Sequence, residues 1–193
     1  MIFIAVVFSF VLRFLARLSP WPFFRSMGSV FATTVSTCSS SASLPVTMQV
    51  CEEKLGISKG MTSFILPLGC SLNMNGSALF QGMSAVFLAQ AYGIEFEVQH
   101  YIALTTTIIM ATLGTASIPG GGLLMLSMVL ASVGIPLEGI AILAGIDRLR
   151  DMATTTLNIS GDTVCAVYIA RREGEIDLDK YYQSTKVLQP ADV

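Results

Sequence analysis

Ile146-Asp147-Arg148-Leu149-Arg150-Asp151-Met152-Ala153-Thr154-Thr155-Thr156-Leu157-Asn158-Ile159-Ser160-Gly161-Asp162 is the stretch on which the fold turns. Its polar members Asp147, Asp151, Thr154, Thr155, Asn158 and Asp162 are spaced 4, 3, 1, 3 and 4 residues apart. A helix of about 3.6 residues per turn gathers that spacing into one stripe. Apolar residues flank it on both sides, so the helix is expected to lie in apolar surroundings. A carboxylate on a membrane helix costs about 2.5 kcal/mol or more, so the stripe cannot face lipid. Two readings follow. In one, Arg148 and Arg150 neutralise the aspartates in a structural network. In the other, the stripe is a cation and substrate site: Asp162 and the amide oxygen of Asn158 are hard oxygen ligands, and Asp151 is a partner for a substrate ammonium.

Composition decides the surroundings. The chain has 193 residues, a net charge of -2 and 53% apolar residues, with Asp, Glu, Lys and Arg at 12%. A soluble domain carries about 25% charged residues. From Gly60 to Leu137 the only charges are Glu95 and Glu97, too few to cover a water-exposed surface. A polytopic protein of the lipid bilayer is the class that remains. With no Lys/Arg cluster, nucleic acid is excluded as a partner. Cys38, Cys51, Cys70 and Cys165 show no paired spacing and read as apolar filler rather than disulfides or a zinc site. The apolar start lacks a basic head and a cleavage site, so it reads as the distal part of a membrane helix and not as a signal peptide.

Outward from the stripe, residues 1–23 read as that helix end and a turn, and 24–60 as a first re-entrant hairpin. Residues 61–97 read as a broken transmembrane helix, 98–137 as a second hairpin, 138–170 as the last transmembrane helix and 171–193 as a charged cytoplasmic tail. Both hairpins are apolar runs of half a membrane thickness that stop at small residues and proline: Ser39-Ser40-Ser41 with Leu44-Pro45, and Ile118-Pro119-Gly120-Gly121-Gly122. Irregular backbone at membrane depth is tolerated only where protein or a water-filled cavity covers it. The tips also match each other. Ala42-Ser43-Leu44-Pro45 returns as Ala116-Ser117-Ile118-Pro119, 74 positions on. The expected fold is therefore an all-α membrane protein with two re-entrant helical hairpins and broken transmembrane helices in an inverted repeat, the pointer to a secondary transporter.

Asn73-Met74-Asn75-Gly76-Ser77 interrupts an otherwise apolar helix, and Asn and Gly both favour leaving the helical conformation. An unwound stretch there offers carbonyls to a cation and a half-helix N-terminus to an anionic group, although a simple kink would also fit. Arg13, Arg17, Arg25, Lys54, Lys59, Arg171 and Arg172 fall on one side, and Glu95, Glu97 and Glu138 on the other, which places the C-terminus in the cytoplasm. An enzyme reading finds no nucleophile elbow, no phosphate-binding loop and a single His100 in a polar loop.

Four motifs in order, SSSASLPVT, PLGCSLNMNGSALFQG, GTASIPGGG and IDRLRDMATTTLNISGD, resemble the dicarboxylate/amino acid:cation symporters, the glutamate transporter family. The resemblance runs from about Phe24 to Ala170. It implies a homotrimer in the full-length form, each protomer moving its transport core by an elevator-like motion coupled to Na+ or H+. It also implies that this stretch corresponds to the end of the sixth helix through the eighth, without the N-terminal scaffold. By resemblance the amino acid substrate would meet Ser39, Ser40, Ser41, Ser77, the backbone of Ile118 and Gly122, and the side chains of Asp151, Thr155 and Asn158. One Na+ site would use carbonyls of Gly69, Asn73 and Asn158 with the carboxylate of Asp162. Another would use backbone of Ser71, Thr112, Leu113 and Thr115.

Two departures from the family pattern stand out. Asn75 replaces an aspartate, which removes a charge from a third cation site. Thr154 stands where acidic-substrate members carry arginine. Thr154 offers a hydroxyl and no charge, which points to a small neutral amino acid such as serine, threonine, alanine or cysteine. The alternative is an acidic amino acid or dicarboxylate, with Arg150, one turn earlier, reaching the pocket in place of the missing arginine. A truncated, non-transporting membrane fragment is the rival from another class.

Overall fold

The computed structural model describes residues 2–115, 117 and 119–186. Among them every regular element is helical, apart from one isolated antiparallel bridge between Ile57 and Ile176. The all-α expectation is met. No helix among the described residues is long and apolar enough to cross a membrane. The reason is local: the apolar helices are interrupted, and the longest helix is rich in charge.

The N-terminal segment has two π-helical turns, Ile4–Phe8 and Val11–Leu15. Helix α1 (Pro20–Ser26) begins on two prolines whose missing N–H groups would have had no helical partner anyway. Helices α2 (Gly28–Thr37) and α3 (Ser40–Glu53) pack together as the first helix pair. Cys38 turns the tip with a left-handed φ of 50°, and the Ser39 hydroxyl caps α3 by accepting from the Ala42 amide. Pro45, inside α3, leaves the Ser41 carbonyl without its helical donor, right at the tip.

Helices α4 (Lys59–Leu72) and α5 (Asn75–Ala91) form the broken helix. The break is shorter than the sequence reading, which ran to Ser77. Only Asn73 and Met74 leave the helix, because the Asn158 amide oxygen accepts from the Gly76 amide at 2.7 Å and holds the first turn of α5 in place. Helices α6 (Val98–Gly114) and α7 (Gly121–Ser132) form the second pair. His100 serves the start of α6, its Nδ1 accepting from the Glu97 amide at 3.1 Å.

The last helix also differs from the single helix expected over 138–170. A 3-10 turn and α8 (Ile140–Ala144) stop at Gly145, and α9 (Asp147–Glu173) then runs 27 residues to Gly174, whose φ of 75° ends it. Beyond it the tail is not a free extension. Helix α10 (Leu178–Lys186) docks on α1, and Tyr181 is fully buried.

The core comes in two halves. One unites the N-terminal segment, the first pair, α4, the far half of α9 and Tyr181. The other unites α5, α6, α7 and Leu143. Between them lies α9, buried on all sides from Thr154 to Val164. The polar stripe thus sits where the two halves meet, and that is what positions the site.

Candidate functional site

The two tips and the helix break converge on α9. The Ser39 hydroxyl donates to the Ser117 carbonyl of the second tip at 2.9 Å, and the Ser117 hydroxyl donates to the Cys70 carbonyl at the end of α4 at 2.6 Å. The second tip reaches α9 through the Gly120 amide, which donates to Asp151 Oδ2 at 2.9 Å. Gly120 has a φ of 78°, a left-handed conformation that glycine adopts without strain. Gly76 allows the closest approach: a Cβ there would stand 2.5 Å from the Thr154 carbonyl oxygen and 2.7 Å from its Cα. Any side chain at position 76 would push α5 off α9.

These contacts enclose a small cavity of about 10 Å3 lined by Cys38, Ser40, Met74, Ser77, Thr115, Ser117, Gly122, Asp151, Thr155 and Asn158. That volume is about one water molecule, too small for an amino acid. Of the substrate residues expected from sequence, Ser40, Ser77, Gly122, Asp151, Thr155 and Asn158 line the cavity. Ser39 instead bonds the opposite tip, and the Ser41 hydroxyl lies 3.9 Å from Cys70 Sγ. The Thr154 hydroxyl turns back to the Asp151 carbonyl at 3.3 Å. Ile118 lies outside the described residues. Cys38, Met74 and Ser117 were missed; Ser117 was within reach, because it matches Ser43 in the tip repeat.

The first expected cation cluster is brought together. The Asn73 amide donates to Asp162 Oδ1 at 2.8 Å and to the Asn158 carbonyl at 3.4 Å. A Cβ on Gly69 would lie 2.7 Å from Asp162 Oδ1, so glycine makes room for the carboxylate. Asp162 is buried, and its Oδ2 has no hydrogen-bond partner among the described residues. An orphaned, buried carboxylate oxygen is the kind of hard donor that a small cation takes. The members of the second cluster turn their side chains elsewhere. The Ser71, Thr112 and Thr115 hydroxyls each bond a carbonyl of their own helix, and Leu113 is exposed.

Arg150 pairs with Asp147 and Asp151, as the network reading of the stripe expects. Its guanidinium lies over the Phe80 ring, 4.2 Å from the centroid, and contacts Asp147 through Nη2. Nη1 reaches Asp151 Oδ1 at 3.2 Å and Thr154 Oγ1 at 3.4 Å. The helix spacing put Arg150 on the Thr154 face but gave no measure of its depth. Arg148, by contrast, is exposed and donates to the Ser36 carbonyl at 3.1 Å.

Paired helical tips around a broken helix and a buried Asp/Asn stripe are the pattern of a class, the secondary symporters. The chain belongs to the sodium:dicarboxylate symporter family, whose sequence profile matches residues 1–172. It is 38% identical over 172 residues to the proton/sodium-glutamate symport protein of Bacillus subtilis (strain 168), covering 89% of this chain and 40% of that protein. It is 38% identical over 179 residues to the proton/glutamate-aspartate symporter of Escherichia coli (strain K12), covering 93% and 41%. Over 147 residues it is 38% identical to the human excitatory amino acid transporter 2, covering 76% and 26%. The chain thus spans about two fifths or less of the length of these relatives. The neutral substrate expected from Thr154 finds no support in them. The two bacterial relatives are named for glutamate or aspartate, and in this chain a guanidinium stands against Thr154 after all.

Proposed function

We propose that this chain is the substrate- and ion-binding core of a membrane-embedded secondary symporter that couples the inward flux of Na+, or H+, to uptake of an acidic amino acid. The observation that carries the reading is the junction at α9, where two helical tips and a helix break close on Asp151 and Asn158. Asp151 takes the substrate ammonium. Ser40, Ser77, Thr155 and Asn158 serve its polar groups, and Ser39, Ser41 and the 117–122 tip form the lids. Asp162, with carbonyls of Gly69, Asn73 and Asn158, holds one coupling ion, and backbone near Ser71 and Thr112–Thr115 a second.

The two helix pairs are the re-entrant hairpins 24–60 and 98–137, and α4 with α5 crosses the bilayer in series, as does α8 with α9. The exposed apolar side chains of α5, α6 and α7, such as Met83, Ile109, Met110 and Leu124, meet lipid or scaffold. The basic turns near Arg17, Lys54 and Arg172 lie at the cytoplasmic end. Assembly as a homotrimer with elevator-like movement of the core completes the reading.

The acidic substrate follows from the relatives' names and from the buried guanidinium beside the cavity. The test is uptake of labelled aspartate by proteoliposomes under an imposed Na+ or H+ gradient. Uptake is expected to rise well above the gradient-free level; indifference to both gradients would refute symport.

A further inference from the structure

We propose that Arg150 is the specificity-determining residue of this site, binding the substrate's side-chain carboxylate, and that Asp147 is the counter-ion it exchanges for that carboxylate. The inference rests on the acidic-substrate reading above and adds which residues enforce it. Three observations point to it.

First, the guanidinium stands directly behind the cavity wall. A Cβ on Gly122 would come within 2.9 Å of Arg150 Nη1, and Gly122 and Asp151, which both touch or adjoin that nitrogen, line the cavity. Gly122 is therefore the gap through which a ligand at the tip meets the charge. Thr154 does not fill this role, since its hydroxyl already serves the Asp151 carbonyl.

Second, the arginine is incompletely satisfied. Its side chain is 9% exposed, yet the buried Nε has no hydrogen-bond partner among the described residues. A purely structural ion pair would be expected to use that donor, because guanidinium and carboxylate fit edge to edge with two parallel bonds. The Nε–H donor thus remains for an incoming carboxylate, and its edge is completed when Asp147 leaves Nη2.

Third, its two partners are unequal. Asp151 is 9% exposed in its side chain and is tied to the Gly120 amide, whereas Asp147 is 22% exposed. Among the described residues the Asp147 side chain makes no other hydrogen bond. Releasing a carboxylate that can rehydrate is easier than releasing one that stays buried. Asp147 is therefore the partner that yields, while Asp151 keeps the second tip and turns to the ammonium. The Phe80 ring under the guanidinium holds its plane during the exchange.

The experiment is equilibrium binding of labelled L-aspartate and L-serine to the purified full chain in detergent with saturating Na+, in the parent, Arg150→Ala and Asp147→Asn. Arg150→Ala is expected to weaken aspartate binding about thirtyfold or more and to leave serine binding unchanged or improved. Asp147→Asn is expected to strengthen aspartate binding several-fold, because a competitor for the guanidinium is gone; a merely structural pair would give no gain. A parent that prefers serine overturns the acidic reading and this inference with it. A parent that prefers aspartate, with Arg150→Ala keeping that preference, overturns only the assignment of Arg150. Should Arg150→Ala fail to fold, Asp147→Asn decides alone: unchanged or weaker aspartate binding sinks the exchange.

Discussion

The two helix pairs share a tip motif but are held in different ways. The first is fastened along its length. Its α2 and α3 pack on α9, Thr34 and Thr156 share a buried hydroxyl bond of 2.9 Å, and its base is stitched to the tail. The second packs mainly on itself and on α5, and among the described residues its tip reaches α9 through the Gly120 amide on Asp151. Similar short sequences have thus been given a fixed half and a half hung from a polar contact. Burial explains the difference. The first pair belongs to a core that wraps α9, whereas the outer faces of α6 and α7 are exposed. Movement that opens the cavity is expected at the second tip.

The strongest way to break the contrast is Asp151→Ala. It removes the acceptor for Gly120 and one of the two carboxylates on Arg150, which keeps Asp147, at about 1.5–3 kcal/mol. Thermal unfolding should fall accordingly, and hydrogen exchange should rise across 117–122 while 39–43 stays protected. Equal loss of protection at both tips would show that the first is no better anchored. Asp162→Asn comes next. It keeps the shape of the proposed ion site and removes the charge, so the Na+ concentration that half-saturates substrate binding should rise about tenfold or more, or 1.4 kcal/mol. An unchanged value would make the carboxylate structural.

Thr34→Val sharpens the comparison from the other side. It deletes the bond to Thr156, which keeps its own bond to the Met152 carbonyl, so the loss should be about 0.5–1.5 kcal/mol of stability with no change in substrate affinity. A change in affinity would mean that the first pair moves during binding.

The smallest effect belongs to Tyr181, whose hydroxyl donates to the Ser19 carbonyl at 2.9 Å. Burial pushes its phenol pKa up. The neutral form is the one the fold favours, so this contribution is complete below the ordinary phenol value of about 10 and is lost as pH rises above it. Thermal unfolding at pH 8 and above pH 10 should separate the parent from Tyr181→Phe, which lacks the titrating group. Parallel pH curves would show that Tyr181 does not contribute.

What the sequence made legible was whatever repeats with helical period or interrupts it. The stripe from Asp147 to Asp162 could be read because 4, 3, 1, 3 and 4 is a helix face in any surroundings. The tips could be read because small residues and proline stop apolar runs. Features set by distant parts of the chain were not legible. Asn75 and Gly76 look like helix breakers, yet a side chain 82 positions away caps the turn they begin. Arg150 shares a face with Thr154, but only the Phe80 ring and Asp147 bring its charge to the cavity wall. The charged tail resembles a free extension because nothing local announces its bonds to Gly56 and Ser58.

Those tail bonds carry a consequence for how the segment tolerates change. The Ser58 amide donates to the Glu175 carbonyl at 3.0 Å, and the Asp177 amide donates to the Gly56 carbonyl at 2.7 Å. Both join main chain to main chain, and Glu175 and Asp177 expose their side chains. The identity of Glu175 is therefore nearly free, whereas Asp177 also caps α10, its Oδ1 accepting from the Asp179 and Lys180 amides at 3.0 and 3.2 Å; the number of residues between them and Tyr181 is fixed too. Removing a single residue from 175–180 would rotate the later positions by about 100° about the α10 axis and carry Tyr181 away from Ser19. In this stretch the chain is measured first by length, and its spelling is fixed only where a side chain caps the helix.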